Sequence, residues 1–269
     1  MSEERSYPTG IGTSSEDTIE LLGVDLAADV LGQVTFGELA YWLATKRLPT
    51  AGQLRVFEAV LASLADHGYT PTAIAARMTY YSAPDSIQGA IAAGLLGGGS
   101  RFLGVTEDTG QFLAEAVTGL GDVTGYGEGE WDDVARELVA AARAEGRKIP
   151  GLGHPVHKQG DPRTPVMFRI AREEGVFGAH LALFEAIGRV HAEVLGRQLP
   201  LNGAGVAGAC LVDAGLPVGL LRGFALLART AGLIGHLAEE QENPVGPSIY
   251  AEVDRHARYV PPADETPTD

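Results

Sequence analysis

The chain is poor in the residues that staple or anchor a protein. A single cysteine, Cys210, in 269 residues excludes an intramolecular disulfide and a thiolate-held metal cluster. Runs of alternating β-branched residues bounded by turn signals are nearly absent, and only "IELLGVDL" reads as a short strand, so the fold class expected is all-α. Basic residues are scarce: 20 Lys and Arg against 35 Asp and Glu give a formal charge of −15. That balance excludes non-specific nucleic-acid binding and docking on anionic membranes, and it requires any anionic ligand to be drawn in by a local cluster of cations. The longest apolar stretch, "LPLNGAGVAGACLVDAG", is interrupted by Asn202 and Asp213, so no membrane span is expected. The opening "MSEERSYPTG" lacks the apolar core of a signal peptide, and a soluble, cytoplasmic protein is the expectation. Glycine is plentiful at 36 residues. Even so, "GGGSR" lacks the GK[ST] ending of a phosphate loop, and "GDVTGYGEGEW" follows no strand; both read as turns.

What is present is helical period. "TFGELAYWLAT" sets Phe36, Leu39 and Leu43 on one face, and Thr35 with Glu38 has capping-box spacing. "TAGQLRVFEAVLASLADHG" repeats the device with Thr50 and Gln53, a stripe of Leu54, Phe57, Leu61 and Leu64, and Gly68 as a stop. "WDDVARELVAAARAEG" predicts an amphipathic helix ending at Gly146. "TPVMFRIAREEG" predicts one capped by Thr164, with Pro165 at its first position and Gly175 at its close. "HLALFEAIGRVHAEVLG" spaces Leu181, Phe184, Ile187, Val190 and Val194 helically, and "VGLLRGFALLARTAGLIGHLAEEQ" predicts a long helix buried over much of its circumference. The polar, Pro-bearing ends, residues 1–18 and 261–269, are expected to be flexible tails.

Three clusters carry candidate chemistry. In "GLGHPVHKQGDPR", His154 lies between Gly153 and Pro155, with Lys158 and Arg163 close behind and a helix about to begin. Cations beside a helix N-terminus suit an anion, and Arg163 can grip a carboxylate with two parallel bonds where Lys158 cannot. In "ADHGYTPTAIAAR", His67 sits at the C-terminal end of its predicted helix, where the dipole favours a protonated imidazole. In "LLARTAGLIGHLAEEQ", Arg229 and His236 are seven residues apart on one face. An arginine in so apolar a run needs an anionic partner, either an acid such as Glu239 or Glu240 or a substrate carboxylate. Without H-E-x-x-H or G-x-S-x-G, and with cations beside the histidines, a metal site and a serine hydrolase rank low; no metal is expected.

These clusters resemble, in order, segments of the citrate synthase superfamily. "GLGHPVHKQGDPR" is similar to "G-[FY]-G-H-x-[VI]-x-[KR]-x-x-D-P-R", and "ADHGYTPTAIAAR" to "DH-x-x-x-x-S-T-x-x-x-R". "LLARTAGLIGHLAEE" resembles "A-R-[TS]-x-G-x-x-x-H", and "TFGELAYWLATKRLPT" an N-terminal "F-x-x-x-x-x-L-L-x-x-G-x-L-P-T" segment. Coverage runs from about Val24 to Ile249, and "GLLGGGSRFLG" looks most like stand-alone citryl-CoA lyases and the lyase module of ATP-citrate lyase. The resemblance implies a citrate-synthase-like fold in which a smaller helical domain closes over the active site of a larger one. The boundaries expected are 19–104 and 211–260 for the large domain and 105–210 for the small. It also implies a homodimer or dimer of dimers, no permanently bound cofactor, and a polycarboxylate with a coenzyme A thioester as substrates. By position, His67 would bind the oxo-acid or citrate moiety and act with His154, which would face its carbonyl or hydroxyl and take the hydroxyl proton on cleavage. Arg163 and Arg229 would pair with carboxylates and Lys158 with coenzyme A phosphate, with Asn202 and His236 in support.

Two departures matter. Leu96 stands where citrate synthases carry a histidine, which the lyase branch also lacks, and Ala204 stands where the family has the carboxylate that handles the α-carbon proton. Asp213 lies too far along the helix to replace it. Three expectations follow: a citryl-CoA-type lyase or condensing enzyme, a carbon–carbon lyase for a different 3-hydroxyacyl-CoA, or a non-catalytic acyl-CoA or carboxylate-binding homologue.

Overall fold

A computed structural model of the chain describes residues 6–261. It begins with a small antiparallel sheet, β1 (Gly12–Ser14), β2 (Ile19–Leu21) and β3 (Val24–Asp25), in that order. "IELLGVDL" was expected as one short strand and is instead a hairpin of β2 and β3, and residues 12–18 are not a loose tail. Ser15 accepts from the Thr18 N–H at 3.0 Å and closes a tight turn, so β1 gains its ladder on β2 while its side chains stay exposed. Because nothing apolar is buried there, the strand left no alternation to read. The expected tail at 261–269 falls, beyond Pro261, outside the described residues.

Eleven α-helices follow among the described residues: α1 (Phe36–Thr45), α2 (Ala51–Ala65), α3 (Pro71–Ser82), α4 (Ile87–Leu96), α5 (Val105–Leu120), α6 (Glu128–Ala144), α7 (Arg163–Glu173), α8 (Ala179–Leu195), α9 (Gly203–Asp213), α10 (Leu221–Glu242) and α11 (Gly246–His256). The expected caps form: Thr35 Oγ1 accepts from Glu38 N at 3.1 Å, and Thr50 and Gln53 bond reciprocally at 3.2 and 3.0 Å. Gly68, Gly146 and Gly175 all take positive φ where helices were expected to stop, and Gly196 does the same after α8. The α7 cap differs. The helix starts at Arg163, two residues early, because Asp161 accepts from the Arg163 N–H at 3.1 Å, and Thr164 instead donates to Leu201 O.

The chain divides into two compact units. Unit 1 is Met1–Ala65 with Gly99–Ala228, and unit 2 is Asp66–Gly98 with Arg229–Asp269. These boundaries differ from those expected, since α5, α8 and α9 share a core with α2 rather than forming a separate small domain. In unit 1, Phe57 lies edge-on to Tyr41 and to Phe224, with centroids 5.9 and 5.3 Å apart. The Tyr41 hydroxyl and Gln53 Nε2 both donate to the Ala214 carbonyl, at 2.8 and 2.9 Å. In unit 2, α3 packs on α4 and α11, and Ala76, Ala90, Leu233 and Leu237 form the core. Val218–Glu242 is long and apolar enough to cross a membrane by length and composition alone. Its Leu221, Phe224, Ala225, Leu233 and Leu237 are nevertheless buried in these two cores.

Phe57→Ala is expected to cost about 3–5 kcal/mol through the cavity it leaves. Tyr41→Phe should cost only about 1 kcal/mol, because Gln53 keeps the Ala214 carbonyl partnered. Urea midpoints at unchanged m would check both.

Candidate functional site

In unit 1 the site is built where the 150–162 loop runs beside 199–203. An isolated bridge pairs Leu152 with Leu201, and Gly153 N donates to Pro200 O at 2.7 Å. Gly153 has φ of 93°, which a side chain would resist; this turn delivers His154 from the clamped segment. Asn202 caps α9 by accepting from Gly205 N at 2.8 Å and donates from Nδ2 to Gly153 O at 2.7 Å, so it holds the same turn from the other side.

Asp161 is the centre of this half. Its side chain is fully buried, and it accepts from Arg163 Nε and Nη2 at 3.0 and 2.7 Å and from Gly203 N at 2.7 Å. Burial alone would raise its pKa. The Arg163 fork and the N–H groups of Gly203 and Arg163 more than offset that and hold the carboxyl well below the usual range. Gly203 is required for this contact, because a Cβ there would collide with the Arg163 guanidinium. Arg163 Nη1 also donates to Ser63 O at 3.1 Å. Among the described residues, these bonds engage three of its five donors, and an incoming carboxylate would meet an arginine already oriented by the protein.

His154 is about 10% exposed, with Nε2 4.0 Å from Asp161 Oδ2. Its Nδ1 accepts from two backbone donors, Val156 N at 3.0 Å and His157 N at 2.9 Å. A proton on Nδ1 would face both, so the ring carries its proton on Nε2. The imidazole is thereby set to donate to an oxygen from Nε2. His157 stacks on His154 with centroids 4.5 Å apart.

Lys158, exposed, lines with His154, Gln198 and Leu199 a cavity of about 440 Å³. A second cavity of about 440 Å³ shares Leu199 and is bordered by Arg143, Arg147, Lys148 and Arg197. Four cations around one cavity in a chain of charge −15 were not singled out from the sequence, where they fall in two stretches about fifty residues apart. Glu145 neutralises Arg147, and the Val194 carbonyl accepts from Arg143 Nη1.

In unit 2, His67 lies in the exposed turn two residues after α2 ends, outside the helix the sequence assigned it to. The neighbouring Asp66 gathers the other residues: His236 Nε2 is 2.9 Å from its Oδ1 and Arg229 Nη1 is 3.5 Å from the same oxygen. Arg229 and His236 do share a face, but the acid beside them is Asp66. Glu239 and Glu240 instead pair with Arg77, which is completely buried. Asp66 and Arg77 were the residues least visible from spacing, since their partners lie some 160 positions away.

Ala204 is the second residue of α9, beside the Asn202 cap. Asp213 accepts from Gly178 N, Leu181 N and His180 at the start of α8, so it is committed elsewhere. Leu96 ends α4, 87% exposed, and brings no donor.

The architecture is that of a helical protein in which imidazoles and helix-borne guanidiniums stand beside fixed carboxylates. The family model for the citrate synthase C-terminal domain matches residues 53–249, and the chain belongs to the citrate synthase family. A citryl-CoA lyase from Hydrogenobacter thermophilus has a similar structure, with TM-score 0.83 and 30% identity over 98% of both chains. An ATP citrate lyase from Methanosaeta concilii, solved with (3S)-citryl-CoA, shares the fold at TM-score 0.77 and 22% identity, covering 98% of this chain and 43% of that one. The probable ATP-citrate synthase of Dictyostelium discoideum is 25% identical over 248 residues, 86% of this chain and 38% of that protein. The chain spans less than half the length of the curated relatives it matches.

The Asp161 carboxylate stabilises the fold fully above its unfolded pKa of about 4, and that contribution falls away as pH drops towards the depressed folded value. Asp161→Asn should therefore cost about 2–4 kcal/mol at pH 7, discounted for the partial exposure of Arg163. The gap to the parent should narrow on acidification below about pH 4, as urea titrations at pH 7 and pH 3 would measure.

Proposed function

We propose that the chain makes or breaks a carbon–carbon bond next to a coenzyme A thioester, as a citryl-CoA lyase does. The observation that carries the reading is the orientation of His154, whose Nε2–H is the donor that a developing alkoxide or carbonyl oxygen needs. In cleavage of citryl-CoA, the hydroxyl gives its proton to water and becomes the carbonyl of oxaloacetate as the carbon–carbon bond breaks. The electrons of the broken bond form the thioester enolate, whose carbon takes a proton back from water to give acetyl-CoA. His154 stabilises the oxygen on the oxo-acid side, and Arg163 binds a carboxylate in unit 1; His67 and Arg229 are the carboxylate-binding groups of unit 2. Lys158 and the cavity bordered by Arg147, Lys148 and Arg197 supply the cations for the phosphates of coenzyme A. The full-length likeness to a citryl-CoA lyase supports the same reading.

Ala204 favours a second reading, a carbon–carbon lyase for another 3-hydroxyacyl-CoA, because a methyl group cannot move the α-carbon proton.

Acetyl-CoA release from citryl-CoA is the primary assay. His154→Ala should lower kcat by about 10²–10³ while coenzyme A binding persists. Replacing both Arg147 and Lys148 with Ala should raise KM for the thioester by about tenfold at little change in kcat. Turnover of a 3-hydroxyacyl-CoA panel but not of citryl-CoA would transfer the assignment to the second reading. An unimpaired His154→Ala enzyme would remove His154 from the mechanism.

A further inference from the structure

Unit 2 contains a directed chain of hydrogen bonds that the chemistry above does not use. It starts at Glu240, whose Oε1 accepts from Val245 N and Gly246 N at 2.9 and 2.7 Å, at the start of α11. Glu240 Oε2 accepts from Arg77 Nη1 at 2.9 Å, and Glu239 takes Nη2. The Tyr69 ring lies 5.0 Å from the Arg77 guanidinium carbon and 5.8 Å from the His236 ring. So fixed, Arg77 donates from Nε to His236 Nδ1 at 3.1 Å. With Nδ1 an acceptor, the His236 proton is on Nε2, where it is donated to Asp66 Oδ1 at 2.9 Å. Asp66 in turn accepts from the backbone N–H groups of His67 and Gly68, the latter at 2.8 Å, and lies beside Arg229.

We propose that His236 is a positioning residue: by accepting from Arg77 and donating to Asp66, it fixes the turn that carries His67 and the acid that orients Arg229, and so sets the affinity of the site for a polycarboxylate. The inference rests on the proposed function for its ligand class. The turn needs such a device because residues 66–69 are exposed and bury little apolar surface of their own. Imidazole suits the position because it accepts at one edge and donates at the other, and a glutamine amide can do the same, whereas alanine and phenylalanine cannot.

The test uses the full chain with ¹⁵N-labelled backbone and histidine rings, and citrate as the probe. The parent should show His236 protonated at Nε2. His236→Ala should shift the His67 and Gly68 amide signals and weaken citrate binding by about 10- to 100-fold, the scale of a lost hydrogen bond to a charged group. His236→Gln should restore most of the affinity and the parental amide positions. Adding His236→Ala to Asp66→Asn should cost little more than Asp66→Asn alone, since both cut one chain. If His236→Ala does not fold, His236→Phe, which keeps the ring volume, replaces it in the comparison with Gln. Unmoved His67 and Gly68 signals, a Gln variant as weak as Ala, or fully independent effects of the two substitutions would each overturn the proposal. A parent that neither binds citrate nor cleaves citryl-CoA would refute the proposed function instead, and the amide shifts would still decide the role of His236.

Discussion

A carboxylate shut away from water is tolerated only where donors surround it, and two such groups organise this protein. Asp161 in unit 1 gathers the Arg163 fork and the Gly203 N–H, and through them the start of α7, the start of α9 and the loop of His154. Glu240 in unit 2 gathers Arg77 and the start of α11. In each case the anion is supported by a buried or half-buried guanidinium and by backbone N–H groups at a helix start, so desolvation is offset by several short bonds at once. Removing one member leaves the others uncompensated, which is why these positions admit few alternatives.

The same economy governs the histidines. His154 and His236 sit in different units, yet each has Nδ1 turned to a donor, two backbone N–H groups in one case and Arg77 Nε in the other. Both rings are thereby directed to donate from Nε2, and in His236 the acceptor is Asp66. The environment of the far nitrogen decides what the near one can do. In unit 1, a chain of charge −15 gathers local cations at Lys158 and at the cavity of Arg143, Arg147, Lys148 and Arg197. Cations so gathered attract an anionic ligand over short range while the overall field repels anions elsewhere.

Much of this was legible in the residues. The caps at Thr35 and Thr50 and the glycine stops obey local rules that need only a few neighbours, and they formed as expected. Thr164 failed as a cap because a stronger acceptor, Asp161, stood three residues earlier and took the first N–H. The strand at Gly12–Ser14 escaped notice because its side chains bury nothing. His154, Arg163 and Arg229 could be nominated from their unusual company. Their partners could not: the acid beside Arg229 is Asp66, not Glu239 or Glu240, and the buried Arg77 holds both glutamates.

The sequence by itself determined the helical class, most helix boundaries and the residue types able to handle a carboxylate, because each depends on short-range periodicity, capping and charge. Only the tertiary structure decided which acid stands beside Arg229, which glutamates hold Arg77, and where scattered cations share a cavity. Those outcomes depend on contacts between residues up to 170 positions apart, and local spacing carries no record of them.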